Sequence, residues 1–319
     1  MYDVVALGEL LIDFTCVGAD SDGYPTMAAH PGGAPANFLA ALTKFGAKTA
    51  LMGKVGADTF GRLLTGTLRK AGIDTGGLMA ADDVFTTLAF VTLDKTGNRE
   101  FSFSRKPGAD TCLTTEELDL SLIDQTRVFH FGTLSLTDEP ARSATCRAVE
   151  YAKAGGKLIT FDPNLRKPLW RDLEEAKRQM IWGLTKADVV KISDEEVEFL
   201  WGLDVEAGAD FILRNFGVKL VFVTCGAEGC YFKNGNASGH VPSLSGIHVM
   251  DTTGAGDIFG GSAVWKLLQL GNAPEALDES ELLEIVTFAC TSAGLSTTRP
   301  GGISSVPDYL EVVAHLHAI

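Results

Sequence analysis

Asp251-Thr252-Thr253-Gly254-Ala255-Gly256-Asp257-Ile258-Phe259-Gly260-Gly261 carries more information than any other stretch of this chain. Gly254-Ala255-Gly256 lets the backbone turn sharply, and the run from Phe259 to Leu270 that follows has helical spacing and no proline. The three small residues are therefore expected at a helix N-terminus, where unpaired N–H groups and the positive end of the helix dipole face one point. An anion fits that point. Asp257, at the start of the same helix, is expected to be ionised, with a depressed pKa. A transferring phosphoryl group suits such a site, because its loose transition state asks little of a base: Asp257 can orient a hydroxyl and take its proton late. Gly-Ala-Gly-Asp alone does not decide the matter, since glycine turns with an aspartate cap begin many helices.

Upstream, the apolar runs Val4-Val5-Ala6-Leu7, Leu158-Ile159-Thr160-Phe161, Val189-Val190-Lys191-Ile192 and Leu220-Val221-Phe222-Val223-Thr224 read as strands. Helical periodicity separates them, at Ala36 to Phe45, Thr59 to Ala71, Ser143 to Ala154, Glu174 to Trp182 and Asp194 to Trp201. That alternation predicts an α/β fold with a central, mainly parallel sheet and helices on both faces. Phe14 to His30 and Thr86 to Ser104 break the pattern: they alternate as strands, with turn residues that include Lys95-Thr96-Gly97-Asn98. They are expected to form a small β-sheet lid, inserted at about 14–30 and 86–104 of a single domain spanning 1–319. Such a lid would lie over the carboxyl ends of the main strands, where open α/β folds bind ligands.

Composition narrows the function. Of the 319 residues 45% are hydrophobic, enough for a soluble core. The formal charge is −14, with 27 Lys and Arg dispersed along the chain, so no basic stripe is available to grip nucleic acid. No apolar run approaches the roughly 20 residues of a membrane span, and Met1-Tyr2-Asp3-Val4 does not open a signal segment. A cytoplasmic location is expected. The six cysteines lie scattered without a Cys-x-x-Cys pair, which reads as reduced thiols rather than a disulfide framework or a zinc site. There is no G-x-x-x-x-G-K-[ST] and no G-x-G-x-x-G after the first strand, so the P-loop and dinucleotide fingerprints are absent.

Gly32-Gly33-Ala34-Pro35-Ala36-Asn37-Phe38-Leu39-Ala40-Ala41-Leu42-Thr43-Lys44-Phe45-Gly46 and Asp251 to Gly261 resemble the two signature segments of the ribokinase-like (PfkB) carbohydrate kinases, in the right order and at about the right separation. The resemblance runs from Val4 to about Pro307. It implies an ATP-dependent sugar kinase in which Asp257 is the base and Gly254, Ala255, Gly256 and Asp257 form the anion hole.

It also places other residues. The sugar would meet Asp13, Gly32, Gly33, Asn37 and Arg166, with Arg105 projecting from the lid to neutralise phosphate or fit a hydroxyl. Asp13 and Asn37 are chemically apt for a polyol, since a carboxylate accepts hydroxyl protons and a carboxamide both gives and accepts. The bland alternatives are a turn residue for Asp13, a helix start for Gly32 to Asn37, and surface charges for both arginines. Thr224-Cys225-Gly226-Ala227-Glu228-Gly229 resembles the T-x-G-x-x-G nucleotide loop, otherwise a tight turn, which brings Thr224, Gly226 and Gly229 to ATP. Cys290 and Gly294 fall on the helix lining the adenine pocket, where Cys290 is otherwise a small buried thiol.

Ser193-Asp194-Glu195-Glu196 resembles the N-x-x-E motif with serine replacing asparagine, so Lys191 and Ser193 fall on the nucleotide side and Glu196 serves Mg²⁺ indirectly. A capping box explains Ser193 and Glu196 equally well. Members activated by K⁺ hold it at positions matching Asp251, Thr253, Ser296, Gly301 and Ser305. The implied cofactors are ATP, Mg²⁺ and K⁺.

Within the family, Thr87-Leu88-Ala89-Phe90-Val91, His130-Phe131-Gly132-Thr133-Leu134-Ser135 and Phe161-Asp162-Pro163-Asn164-Leu165-Arg166 look most like fructokinases. Phe103 stands where 2-keto-3-deoxygluconate kinases tend to carry tyrosines, which implies a neutral ketohexose such as fructose. A 2-keto-3-deoxygluconate kinase, a nucleoside kinase and a catalytically silent sugar or nucleotide sensor are the alternatives, as is a monomer against a homodimer. Retention of Asp257 and its glycine turn weighs against the silent sensor, and Arg99, Arg105 and Lys106 against an apolar, base-stacking lid.

Overall fold

A computed structural model describes residues 1–93 and 99–317; the turn read at Lys95-Thr96-Gly97-Asn98 lies outside the described residues. The first strand, β1 (Tyr2–Leu7), is fully buried from Val4 to Leu7 because helices cover both faces of its sheet. The chain then leaves that sheet for β2 (Leu11–Ala19) and β3 (Pro25–Gly32) and returns through α1 (Ala34–Lys44), β4 (Thr49–Gly56), α2 (Thr59–Ala71) and β5 (Asp74–Ala81). It leaves again for β6 (Leu88–Leu93) and β7 (Arg99–Ser104). Alternation resumes with α3 (Leu120–Asp124), β8 (Thr126–Gly132), α4 (Ala141–Ala154), β9 (Leu158–Asp162), α5 (Leu173–Lys186) and β10 (Val189–Ser193). It continues through α6 (Asp194–Trp201), α7 (Val205–Phe216), β11 (Leu220–Thr224), β12 (Cys230–Asn234) and β13 (Ser238–Val241). Three helices, α8 (Ala255–Leu270), α9 (Glu279–Ser296) and α10 (Tyr309–Leu316), follow.

The large sheet has the order β13-β12-β11-β10-β9-β8-β1-β4-β5, parallel except where β12 and β13 pair antiparallel at one edge. From β1 the chain builds β4 and β5 on one side, then crosses to β8 and builds outward on the other. The crevice at that reversal is where ligands meet such sheets. The small sheet, order β3-β2-β6-β7, is made of the two excursions after β1 and β5, joined by parallel pairing of β2 with β6.

Local signals explain the helix bounds. Asp58 caps α2 by accepting from Gly61 N, and Gly72 ends it in the left-handed region. Helix α8 starts at Ala255, ahead of the apolar periodicity at Phe259, because Gly254 at φ 79° makes the turn. The first turn of α8 therefore contains Asp257. Helix α8 packs on α1 so closely that a Cβ on Gly261 would lie 2.3 Å from Phe38 O, whereas one on Gly260 would sit 3.4 Å from the Phe38 ring. This contact brings Asn37 and Asp257, 220 residues apart, into hydrogen-bond range. Among the described residues no helix is long and apolar enough to cross a membrane.

Because the α1–α8 approach leaves no room at one glycine and ordinary room at its neighbour, Gly261→Ala is expected to cost about 1–3 kcal/mol and Gly260→Ala clearly less. Urea denaturation midpoints check this; equal midpoints for the two variants would contradict the packing account.

Candidate active site

A cavity of about 260 Å³ opens between the two sheets. Asp13 and Thr15 of β2, Val91 of β6 and Phe103 of β7 form its outer wall, and Gly33, Asn37, Asn164, Arg166 and Lys191 its inner one. A second cavity of about 470 Å³ lies beyond the α8 turn and is largely apolar, with Leu244, Ile247, Val249, Phe259 and Ala293 beside Thr224, Gly226, Gly229, Cys290 and Gly294. Thr252 and Gly256 line both. One glycine turn thus separates a polar chamber from an apolar groove.

Asp257 stands on that turn, buried. Its Oδ2 accepts from Asn37 Nδ2 at 2.9 Å, and its Oδ1 lies 3.5 Å from Asn164 Nδ2. The sequence predicts a depressed pKa there, and the structure corrects it. Burial pushes the Asp257 carboxyl up, against the Asn37 hydrogen bond and the charges of Lys191 and Arg166. Loss of water around the whole carboxylate outweighs the partial charge of one helix end. The consequence is a more basic carboxylate. Asn164 holds its place at φ 45°, a left-handed conformation that asparagine tolerates, with its N–H donated to Asp162 Oδ1 at 3.1 Å. Asn37 Oδ1 is buried without a hydrogen-bond partner among the described residues, so a ligand hydroxyl would satisfy it.

Asp13 faces the same chamber, pushed up to about 6 by burial, with Arg166 opposing and Asp257 and Asp251 reinforcing. Gly32 does not line the chamber; it makes room for Asp13, since a Cβ there would lie 2.1 Å from Asp13 Oδ2. Arg166 is exposed, with its guanidinium 2.7 Å from Asn164 Oδ1, and does reach the chamber.

Arg105 departs from expectation. It turns inward rather than projecting from the small sheet: Nε and Nη2 hold Asp110 Oδ2 at 2.8 and 2.7 Å, Nη1 donates to Thr137 Oγ1 at 2.8 Å and Nη2 to Leu134 O at 2.8 Å. A buried guanidinium needs such partners, and Asp110, five residues on, supplies a charged one. Arg105 fastens the root of β7 to the main body and lines neither cavity.

Of the residues expected at the nucleotide, Thr224, Gly226, Gly229, Cys290 and Gly294 converge on the apolar groove, whereas Lys191 and Ser193 do not. Lys191 points to the polar chamber instead, its ammonium 3.1 Å from Asp162 Oδ2. Ser193 caps α6, accepting from Glu196 N at 3.2 Å. Glu196 accepts from Ser193 N at 2.9 Å and from Leu165 N at 2.6 Å, so it braces the Asn164–Arg166 loop. Asp251 takes the amide and hydroxyl of Thr253 at 2.9 and 2.7 Å on Oδ1 and the amide of Gly301 at 2.9 Å on Oδ2. Those contacts clasp the segment before α8 to the loop before Ser305, whose hydroxyl donates to Gly302 O at 2.9 Å. Ser296 donates to Ala293 O at 2.7 Å. Among the described residues no three His, Cys, Asp or Glu side chains converge on a metal position.

Residues that sequence reasoning left unassigned also shape the two cavities. Glu9, two residues beyond β1, accepts from Ala34 N at 2.8 Å, and burial pushes its carboxyl up to about 7. A carboxylate in an otherwise apolar run after a strand was its available signal. Leu244, Ile247 and Val249 come from an irregular loop without periodicity, and nothing local marks them.

Comparison with known proteins fits this geometry. The family profile described as "pfkB family carbohydrate kinase" matches residues 1–309. Fructokinase-1 of Zea mays is 43% identical over 314 residues, covering 97% of this chain and 96% of that protein. The crystal structure of a fructokinase with bound ATP from Xylella fastidiosa superposes with a TM-score of 0.91 at 30% identity, covering 100% of this chain and 99% of that one. A double mutant of the fructokinase of Vibrio cholerae O395, in its fructose, ADP and potassium ion bound form, gives a TM-score of 0.86 at 30% identity over 99% and 98%.

Glu9 yields a pH-dependent prediction. Its folded pKa of about 7 lies above the ordinary 4.5, so the stabilisation linked to its proton is present at low pH and is lost as pH rises through about 7. Glu9→Gln keeps the acceptor for Ala34 N and does not titrate. Relative to the parent, its melting temperature is expected to rise between about pH 5 and about pH 8. Melting curves that stay parallel across that range would contradict the assignment.

Proposed function

Because this chain belongs to the pfkB family of carbohydrate kinases, we propose that it transfers the γ-phosphoryl group of ATP to a hydroxyl of fructose, with Asp257 as the base. It is a sugar kinase, a phosphotransferase whose acceptor is an alcohol. The observation that carries the reading is the shared turn: Gly256 borders both the polar chamber and the apolar groove, so a phosphoryl group leaving one meets an acceptor held in the other.

The sugar lies in the polar chamber. Asp13 and Asn37 Oδ1 accept from its hydroxyls, and Arg166 donates at the rim. The adenine of ATP lies along Ile247, Val249 and Cys290, with its phosphates running past Gly226 toward Gly256. The chosen hydroxyl attacks the γ-phosphorus in line, a new O–P bond forms, the bond to the β-phosphate oxygen breaks, and ADP leaves. Asp257 takes the hydroxyl proton. The burial that makes its carboxylate more basic strengthens that acceptance. The amides of Gly256 and Asp257, at the start of α8 and without an intrahelical acceptor, face the charge that grows on the transferring group, while the Ala255 amide donates to Thr252 O at 3.2 Å and holds the turn that starts at Gly254.

Charge favours a neutral sugar over a sugar acid. Glu9, Asp13 and Asp257 face the chamber, while Lys191 is already paired with Asp162 and Arg166 is exposed at the rim. A substrate carboxylate would be set among like charges. Phe103 presents an apolar ring in the same wall.

Mg²⁺ would accompany ATP and supply positive charge to its phosphates, a role that needs few protein ligands; among the described residues no three His, Cys, Asp or Glu side chains are placed to hold a metal on their own. For K⁺ the hard oxygens of the clasped loops, from Asp251 and Thr253 to Gly301 and Ser305, are the fitting donors, and the ion would add positive charge beside the anion turn. We place the chain in the cytosol, where ATP and reduced thiols coexist.

Asp257→Asn keeps the Asn37 contact and removes the base. Its kcat is expected to fall by about 10²–10⁴-fold, with the dissociation constants for fructose and Mg·ATP changed only a few-fold. Steady-state kinetics with calorimetric binding check both halves, and near-parent turnover sinks the role of Asp257.

A further inference from the structure

Lys191 stands on β10 with its side chain 13% exposed and its ammonium 3.1 and 3.3 Å from the two oxygens of Asp162. A Cβ on Gly256 would lie 3.2 Å from the same nitrogen, so the ammonium is packed directly beneath the turn that leads into Asp257. The charged and titratable groups facing Asp257 from neighbouring elements are Lys191 on β10, Asp162 at the end of β9, Arg166 in the loop after it and Asp13 on β2. Asn37 on α1 adds a neutral donor. Of the two cations, Arg166 is exposed and water screens it. Lys191 acts through a medium of lower dielectric constant, where the same separation gives a stronger interaction.

Resting on the reading of Asp257 as the base, we propose that Lys191, seated by Asp162, is a positioning residue for the transfer whose buried ammonium holds Asp257 in the charged form the reaction requires. Asp162, Glu196 on α6 and Asp257 share this one cation. Asp162, like Asp257, is pushed upward by burial and drawn back by Lys191, and the charges of Glu196 and Asp257 push Asp162 further up. The consequence is a pair of opposed effects. Without Lys191, Asp257 is harder to ionise. Repulsion between like charges is reciprocal, so without the carboxylate of Asp162 a repelling neighbour and one rival for the ammonium are gone, and Asp257 is easier to ionise.

Lys191→Met retains most of the stem volume. Asp162→Asn retains the Oδ1 that accepts from Asn164 N at 3.1 Å, so the turn before Arg166 is preserved. The test is the single-turnover rate of phosphoryl transfer, measured by rapid quench with saturating fructose and Mg·ATP from about pH 5 to about pH 9. The acidic limb of the pH–rate profile is expected to move up by about one unit or more in Lys191→Met and down in Asp162→Asn. A purely structural role lowers rates without opposed shifts. Limbs that coincide with the parent's, or that both move the same way, overturn the proposal. Should Lys191→Met fail to fold, Lys191→Gln takes its place, since it keeps a donor for Asp162 but no charge: the limb still moves up, whereas loosened packing, by admitting water around the buried acid, would move it down. If Asp257→Asn retains turnover, the base assignment itself fails; if that variant is inactive and the limbs do not move, only the role of Lys191 fails.

Discussion

Withdrawing the Asp257 carboxylate from water at the first turn of α8 is the constraint around which this cleft is organised. An isolated buried carboxylate is costly, so each element that reaches it brings a compensating group: α1 brings Asn37, the loop after β9 brings Asn164, and β10 brings Lys191. The close α1–α8 approach, possible because Gly261 has no side chain, is what sets Asn37 at its distance. Glu196 reaches from α6 to hold the backbone at Leu165, and so the loop that carries Asn164. Stability and chemistry thus share one set of contacts.

The two cavities differ in kind because their walls come from different parts of the chain. The polar chamber is lined by the ends of parallel strands and by the small sheet, where carboxylates, carboxamides and one exposed arginine alternate with Val91 and Phe103. The groove beyond the turn is lined by α8, α9 and an irregular apolar loop. A polyol suits the first and an aromatic base the second. Among the described residues that line these cavities, Thr252 and Gly256 alone face both, so the segment that turns into α8 is where the two meet.

Much of this was legible in the sequence. Period and punctuation placed α2 and α6 at their observed bounds, and the departures from helical period at Phe14 to His30 and Thr86 to Ser104 located the small sheet. Motif order brought Asp13, Asn37, Arg166 and the α8 turn to one chamber. What failed depended on the direction of a side chain or on solvent. Arg105 was read as facing outward, because its partners Asp110, Thr137 and Leu134 are assembled only by the fold. Lys191 was read with the nucleotide groove, though its side chain lines the polar chamber. The pKa of Asp257 was read from its helix, which a sequence reveals, and not from its burial, which it does not.

The central claim is that a neutral ketose in the acidic chamber receives the phosphoryl group across the Gly256 turn. ADP release measured with Mg·ATP against fructose, ribose, adenosine and 2-keto-3-deoxygluconate, each with and without K⁺, tests it most directly. The account predicts a kcat/KM for fructose at least about 100-fold above that for the sugar acid. A preference for 2-keto-3-deoxygluconate or for adenosine, or no release with any acceptor, would contradict it.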